Sequence, residues 1–200
     1  MKTILTTEIF DAWFADLRDP QAAARIKMRI GLAELGNFGD CDPVGEGVPE
    51  MRIHYGPGYR VYFTQRGLEV VILLVGGDKS TQAKDIKTAL KLARELWEKA
   101  MALKLRKWDT AEHLKNEEEM ALYLEACLKE AGDDAAFIAK ALGDIARAKG
   151  MTQLAKDTGL GRESLYKALS GEGNPSFATI LKVTHALGLQ LHAAPRHAPV

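Results

Sequence analysis

The sequence predicts two domains, an α+β unit over residues 1–98 and an all-α unit over residues 101–200 that contains a helix-turn-helix at about residues 151–170. Three observations predict this division. Apolar residues recur at helical spacing up to Gly36, give way to β-branched and aromatic runs between Met51 and Val75, and return to helical spacing for the rest of the chain. The charge balance also changes, with five basic residues against nine acidic ones over 101–134 and eight against four over 140–200. Small residues and glycines then fall at fixed offsets between Met151 and Leu169, the spacing that two helices joined by a tight turn require.

The first helix is expected over about Thr7 to Leu17, where Phe10, Trp13, Phe14 and Leu17 share one face. Asp19 can cap a second helix with Pro20 at its first position, and Ala23, Ile26, Ile30 and Ala33 form its inward stripe. Asn37 to Pro49 is rich in Gly and Pro and reads as a loop. Met51–Tyr55, Tyr59–Thr64 and Leu68–Val75, separated by Gly56-Pro57-Gly58 and Gln65-Arg66-Gly67, read as a three-stranded antiparallel meander. Ser80 can cap a closing helix whose stripe is Ala83, Ile86, Leu90, Ala93 and Trp97. Two helices, a small antiparallel sheet and a closing helix make a complete α+β unit with its own core. Beyond it, a helix is expected over Ala111–Ala131, then, after the separator Gly132-Asp133-Asp134, one with Phe137, Ile138, Leu142 and Ile145 inward that ends at Lys149-Gly150, and one from Pro175 to Leu187 with Phe177, Ile180, Leu181, Thr184 and Leu187 inward.

Composition removes several classes of function. Hydrophobic residues make up 46 % of the 200, and no run approaches the length that spans a bilayer, so a membrane protein is not expected. The amino terminus shows no signal-peptide pattern, which predicts a cytoplasmic location. Cys41 and Cys127 lie far apart without neighbouring ligands, so neither a disulfide framework nor a metal site is expected, and no phosphate loop indicates a nucleotide cofactor.

The stretch from Met151 to Leu169 carries the clearest steric signal. Ala155 is small where two helices cross, Gly159 can supply the positive φ of the turn, and Leu160 and Leu165 anchor the second helix. Arg162, Glu163, Tyr166 and Lys167 are then left outward, with Thr152, Gln153 and Ser164 as further candidates for DNA contacts. Arg and Lys at the start of such a helix can donate to guanine edges or phosphates in a major groove. Glu163 is unfavourable beside phosphate unless it accepts from cytosine or pairs with an arginine, and the alternative is an αα-hairpin with a solvated charged face. The motifs Gly143-Asp144-Ile145-Ala146-Arg147, Gly161 to Leu169 and Gly173-Asn174-Pro175-Ser176-Phe177 resemble the addiction-module antidote proteins of the HigA-like class, over about Leu105 to His192. That resemblance implies an antitoxin that neutralises a toxin and, as a homodimer or higher oligomer, represses its own operon by binding operator DNA. The acidic stretch at Glu117, Glu118 and Glu119 is the expected place for toxin contacts.

In residues 1–98, Arg52 and His54 on one expected strand and Arg60 and Tyr62 on the next lie at even spacing, so each pair shares a face, and Lys79 and Lys84 follow at the closing helix. Such a cluster can bind RNA phosphate and stabilise a transferring phosphoryl group, with Tyr62 or His54 moving protons. Polar residues on a half-exposed sheet are also ordinary. Pro49 to Ile53, Tyr55 to Phe63 and Gly76 to Gln82 resemble the HigB-like killer proteins of addiction modules, within the RelE/ParE superfamily. That resemblance implies a RelE/ParE-like fold and metal-independent, ribosome-dependent cleavage of messenger RNA by attack of a ribose 2′-hydroxyl. It would make Arg60 and Lys79 phosphate and transition-state stabilisers, Arg52 a positioning residue, Tyr62 a proton-transfer or stacking residue, His54 a weaker candidate and Lys84 an RNA contact, without a cofactor. The joint expectation is a type II toxin–antitoxin protein in one chain. Met101 reads as the start of a separate reading frame, which leaves open a natural fusion or two joined genes. The competing expectations are a transcriptional regulator with an inactive first domain and a ParE-like gyrase inhibitor.

Overall fold

A computed structural model describes residues 1–98 and 104–192. Met101 and the boundary expected there lie outside the described residues. The element order is β1 (Thr3–Thr7), α1 (Glu8–Ala15), α2 (Pro20–Glu34), β2 (Cys41–Gly45), β3 (Val48–Ile53), β4 (Tyr59–Arg66), β5 (Val70–Gly77), α3 (Gln82–Glu98) and β6 (Leu105–Lys107). A 3-10 turn (Thr110–His113) follows, then α4 (Glu117–Ala131), α5 (Ala135–Lys149), α6 (Met151–Thr158), α7 (Arg162–Ala168) and α8 (Phe177–Ala186).

The small antiparallel sheet expected for residues 1–98 is corrected by a six-stranded mixed sheet of order β2-β3-β4-β5-β1-β6. The two-helix, three-stranded RelE/ParE-like unit is therefore not the observed fold. Three strands account for the difference. β1 pairs parallel with β5, Thr3 to Thr6 facing Val70 to Leu73, and its last residue also caps α1, since the Thr7 hydroxyl accepts from the Phe10 amide at 3.1 Å. β2 occupies the stretch expected to be a loop; Pro43 is tolerated there because the strand is an edge and does not need its missing N–H. β6 comes from beyond residue 103 and pairs antiparallel with β1, and the Trp108 amide continues that ladder to the Ile4 carbonyl at 3.0 Å.

Helices cover both faces of the sheet. Phe10 and Phe14 of α1 and Ile26, Ile30 and Ala33 of α2 pack on Ile4, Met51, Ile53, Val61, Phe63 and Leu73, with Trp108 in the same cluster. On the opposite face Ala89, Leu92, Ala93 and Leu96 of α3 pack on Val48, Tyr62, Ile72 and Leu74. The α3 stripe thus differs from the expected one: Ala83 is exposed and Trp97 lies outside, beneath the Arg66 guanidinium. Ser80 bonds to Asp78 and not to the helix, which begins two residues later at Gln82.

α2 is buried on two sides. Its second stripe, Ala24, Met28 and Leu32, belongs to a cluster with Tyr123, Leu124 and Cys127 of α4 and Phe137, Ala141, Leu142 and Ile145 of α5. The helix expected from Ala111 is split, because Asn116 caps a fresh start at Glu117 by accepting from the Glu119 amide at 2.9 Å. α6, α7 and α8 complete the same cluster through Met151, Leu154, Leu165, Leu169, Val183 and Leu187. Phe177 and Leu181, expected inward on α8, are exposed instead.

Candidate functional site

On the β3–β4 hairpin, Arg52 stands directly opposite Arg60, and Glu50 stands opposite Tyr62. Like charges in that relation repel. The Glu50 carboxylate, 1 % exposed, answers both: it accepts from Arg52 Nε at 3.0 Å and lies 3.4 Å from Arg60 Nε. It also accepts from the Tyr62 hydroxyl at 3.3 Å and from the Gln82 amide at 3.0 Å. Arg52 is further held by Asp42, and Arg60 Nη1 donates to the Gly58 carbonyl at 2.8 Å.

The hairpin therefore brings Arg52, Arg60 and Tyr62 around one carboxylate at the start of α3. Tyr62 is fully buried, and burial with Glu50 beside it pushes its hydroxyl pKa well up, so it stays protonated. His54 stands apart, exposed, with Nε2 at 2.7 Å from Asp40. Lys79 is exposed next to Gly58, and Lys84 is exposed on α3. Glu50 was not among the residues singled out in the sequence. Its signal was its even spacing from Arg52 on one strand face.

The second constellation is the α6–α7 pair. Gly159 takes φ 68° at the end of α6, a left-handed conformation that suits glycine and turns the chain into α7. Leu165 and Leu169 point into the core, whereas Arg162, Glu163, Ser164, Tyr166 and Lys167 of α7 and Thr152 and Gln153 of α6 are exposed on the outside. Gln153 donates to Asp157 at 2.7 Å. Gly143 of α5 lies so close to α7 that a Cβ there would collide with the Leu169 carbonyl.

A third set of polar groups joins the two parts of the chain across α2. Lys27 Nζ, almost wholly buried, donates to the His113 carbonyl at 2.9 Å and lies 3.6 Å from Glu119, and Arg29 meets Glu130 at 2.9 Å. Burial lowers the Lys27 pKa against the pull of Glu119. Glu34 meets Lys140 at 2.5 Å, Lys140 meets Asp144 at 3.0 Å, and Arg147 bridges Asp144 and Asp109 at 2.7 Å each. Burial raises the Glu34 pKa, while for Lys140 burial, which would lower it, is outweighed by Asp144 and Glu34. Of the three glutamates expected to make toxin contacts, Glu119 crosses to α2; Glu117 pairs with Lys149 in its own part, and Glu118 is exposed.

These features define a layered α/β unit whose sheet and second helix are completed by an α-helical unit with a helix-turn-helix arrangement. Through residues 104–195 the chain belongs to the family of probable addiction module antidote proteins. It is 57 % identical over 90 residues to an uncharacterized protein of Haemophilus influenzae, a match covering 45 % of this chain and 91 % of that one. A second uncharacterized protein of the same organism is 52 % identical over 93 residues, covering 46 % of this chain and 94 % of its own length. No solved structure matches the chain. Among the described residues no helix is long and apolar enough to cross a membrane.

Proposed function

We propose that the chain is a toxin and its antidote in one polypeptide, with the antidote-family stretch restraining residues 1–98. The observation that carries this reading is β6: the antidote-family stretch adds a strand to the sheet edge at β1, buries Trp108 against Phe10 and Phe14, and covers the second face of α2. Strand addition to a free edge is a common mode of partner recognition, because it satisfies a row of unpaired backbone groups at once. The Arg52–Arg60 cluster lies on the α3 face of the sheet, away from that contact. On this reading restraint acts by covering the α1–α2 side and not by filling the cluster.

The activity proposed for residues 1–98 is metal-independent cleavage of messenger RNA on the ribosome. Arg60 and Lys79 stabilise the phosphate under attack, Arg52 positions it, and His54, exposed and tied to Asp40, is the group available to move a proton. Tyr62, protonated and buried, acts through Glu50 and not on RNA. In the second part, the outward residues of α7, with Thr152 and Gln153, contact operator DNA, and an assembly formed through this part represses the module's own promoter.

The test is growth. Expression of residues 1–98 alone is expected to arrest cells and shorten messenger RNA, and supplying residues 104–192 in trans is expected to relieve both. Arg60→Ala and Lys79→Ala abolish the arrest. Soluble, folded 1–98 that leaves growth and transcripts intact favours the second reading, a transcriptional regulator with an inactive first part. One observation favours that alternative: Arg52 and Arg60 are already answered by Glu50, Asp42 and Asp40, which leaves little free positive charge for phosphate. Arrest with DNA-damage signalling and intact transcripts indicates a gyrase poison.

A further inference from the structure

α3 carries a row of cations on the side turned away from the sheet. Lys84, Lys87, Lys91 and Arg94 recur at three- and four-residue spacing, and at about 100° per residue they fall within one arc, roughly opposite the Ala89, Leu92, Ala93 and Leu96 stripe that packs on the strands. All four are exposed, as is Lys79 just before the helix. Along the helix axis the four cover about 15 Å, in steps of about 5 Å. Residues 1–98 hold 13 Lys and Arg against 14 Asp and Glu, so the row is a local segregation of charge and not the sign of a basic chain. Glu8, Asp11, Asp16 and Asp19 belong to the opposite side, on and beside α1.

The row is open to a new anion. Among the described residues Lys79, Lys84 and Lys87 meet no carboxylate in an ion pair, while Lys91 lies 3.9 Å from Glu95 and Arg94 meets Glu46 at 2.5 Å. Exposed pairs of that kind are weak and exchange readily. The row also starts at the Arg52–Arg60 cluster: Gly58 lies against both the Arg60 guanidinium and Lys79, and Gln82, the first residue of α3, donates to Glu50. The antidote-family stretch covers the α1–α2 side and β1, which leaves the outer side of α3 uncovered.

We propose that this row docks the phosphate backbone of double-helical RNA, and does so in the full chain with the antidote-family stretch in place. Evenly spaced cations without apolar anchors between them suit a polyphosphate, whose binding is built on Lys and Arg alone. A membrane surface requires apolar side chains beside the cations, and a protein partner requires a buried apolar centre. The row supplies neither. Single strands are held by stacking on bare rings, and the exposed ring at the far end of α3, Trp97, lies beneath the Arg66 guanidinium. The choice of RNA over other polyanions rests on the RNA-cleaving function proposed above. On this inference restraint blocks the reaction and not the encounter, so the restrained chain already sits on RNA.

The experiment measures binding of the full chain to a fluorescent RNA duplex of about 20 base pairs, long enough to present a continuous backbone. Lys87→Gln combined with Lys91→Gln is expected to flatten the dependence of log affinity on log salt by about two. Between about 50 and about 200 mM salt the wild type therefore loses about tenfold more affinity than the variant. Lys87→Arg combined with Lys91→Arg keeps the charge and is expected to keep the full slope. The same flattening is expected in a chain whose α7 also carries Arg162→Gln and Lys167→Gln, which removes the basic groups of the other part. The same duplex in DNA, and vesicles of phosphatidylserine and phosphatidylcholine, serve as comparison probes. Absence of RNA binding, an RNA salt slope that the glutamine pair leaves unchanged or the arginine pair also flattens, or a contribution of the row confined to DNA or to vesicles overturns the proposal. Neither cleavage nor growth is read in this experiment. Its failure therefore leaves the cleavage reading standing, and a harmless 1–98 stretch leaves a measured contribution of α3 to RNA binding standing.

Discussion

Two guanidinium groups directly opposite one another on a hairpin repel, and Glu50, the carboxylate that Arg52 and Arg60 share, offsets that repulsion, with Asp42 and Asp40 also facing Arg52. Removing one partner of a buried ionic cluster strands the others, at a cost of about 3 kcal/mol for such sites. Glu50→Ala is therefore expected to lower stability by about that amount in urea unfolding, and Glu50→Gln, which keeps an acceptor for Arg52 and Tyr62, by less. A loss below about 0.5 kcal/mol for Glu50→Ala, the range of an ordinary surface change, contradicts the arrangement. The basic half of this cluster was legible in the sequence because alternate positions on a strand share a face. Its acidic half was not, since Glu50 borders a Gly- and Pro-rich stretch that reads as a loop, and the strand in fact begins at Val48. The burial of Tyr62 was also hidden, because it depends on α3 packing over that position and on a register shift between Tyr62 and Phe63.

At the level of elements, the α6–α7 pair was the most readable part of the chain because its constraints are local. Gly159 turns the chain, Leu160 and Leu165 pack the start and middle of α7 on the core, and each lies within a few residues of the next. The strands β1 and β6 were the least readable. Thr3–Thr7 and Leu105–Lys107 are short, and each becomes a strand by pairing with residues far away in the sequence. One contact between elements has a direct test. α5 approaches α7 at Gly143, where the Leu169 carbonyl leaves no room for a methyl group. Gly143→Ala must push α7 outward, and overpacking of this kind costs about 1–3 kcal/mol. The melting temperature is expected to fall by roughly 4–8 °C for about 2 kcal/mol in a chain of this size. An unchanged melting temperature shows that α5 and α7 do not pack as closely as described.

Across the whole molecule, the change in composition near residue 98 was visible in the sequence, but the sharing of α2 was overlooked. Ala22, Ala23, Ala24, Ile26, Met28, Ile30, Leu32 and Ala33 surround that helix with apolar groups, a pattern that marks a helix buried on more than one side. Only the stripe facing the sheet was recognised. The second stripe joins Met28 to the cluster around Tyr123 and Phe137, so one helix contributes to the cores of both parts. Two cores that share a rigid element should open together. Native-state hydrogen exchange of the full chain is accordingly expected to give the same opening free energy for amides of β5 and of α5. Met28→Ala removes a nearly buried side chain from the second core alone, at a cost of about 2–5 kcal/mol. If α2 couples the parts, the opening free energy of β5, which Met28 belongs to no cluster with, falls by as much as that of α5. A decrease confined to α4–α8 means instead that the two parts unfold independently, and that the antidote-family stretch can leave the sheet without unfolding it.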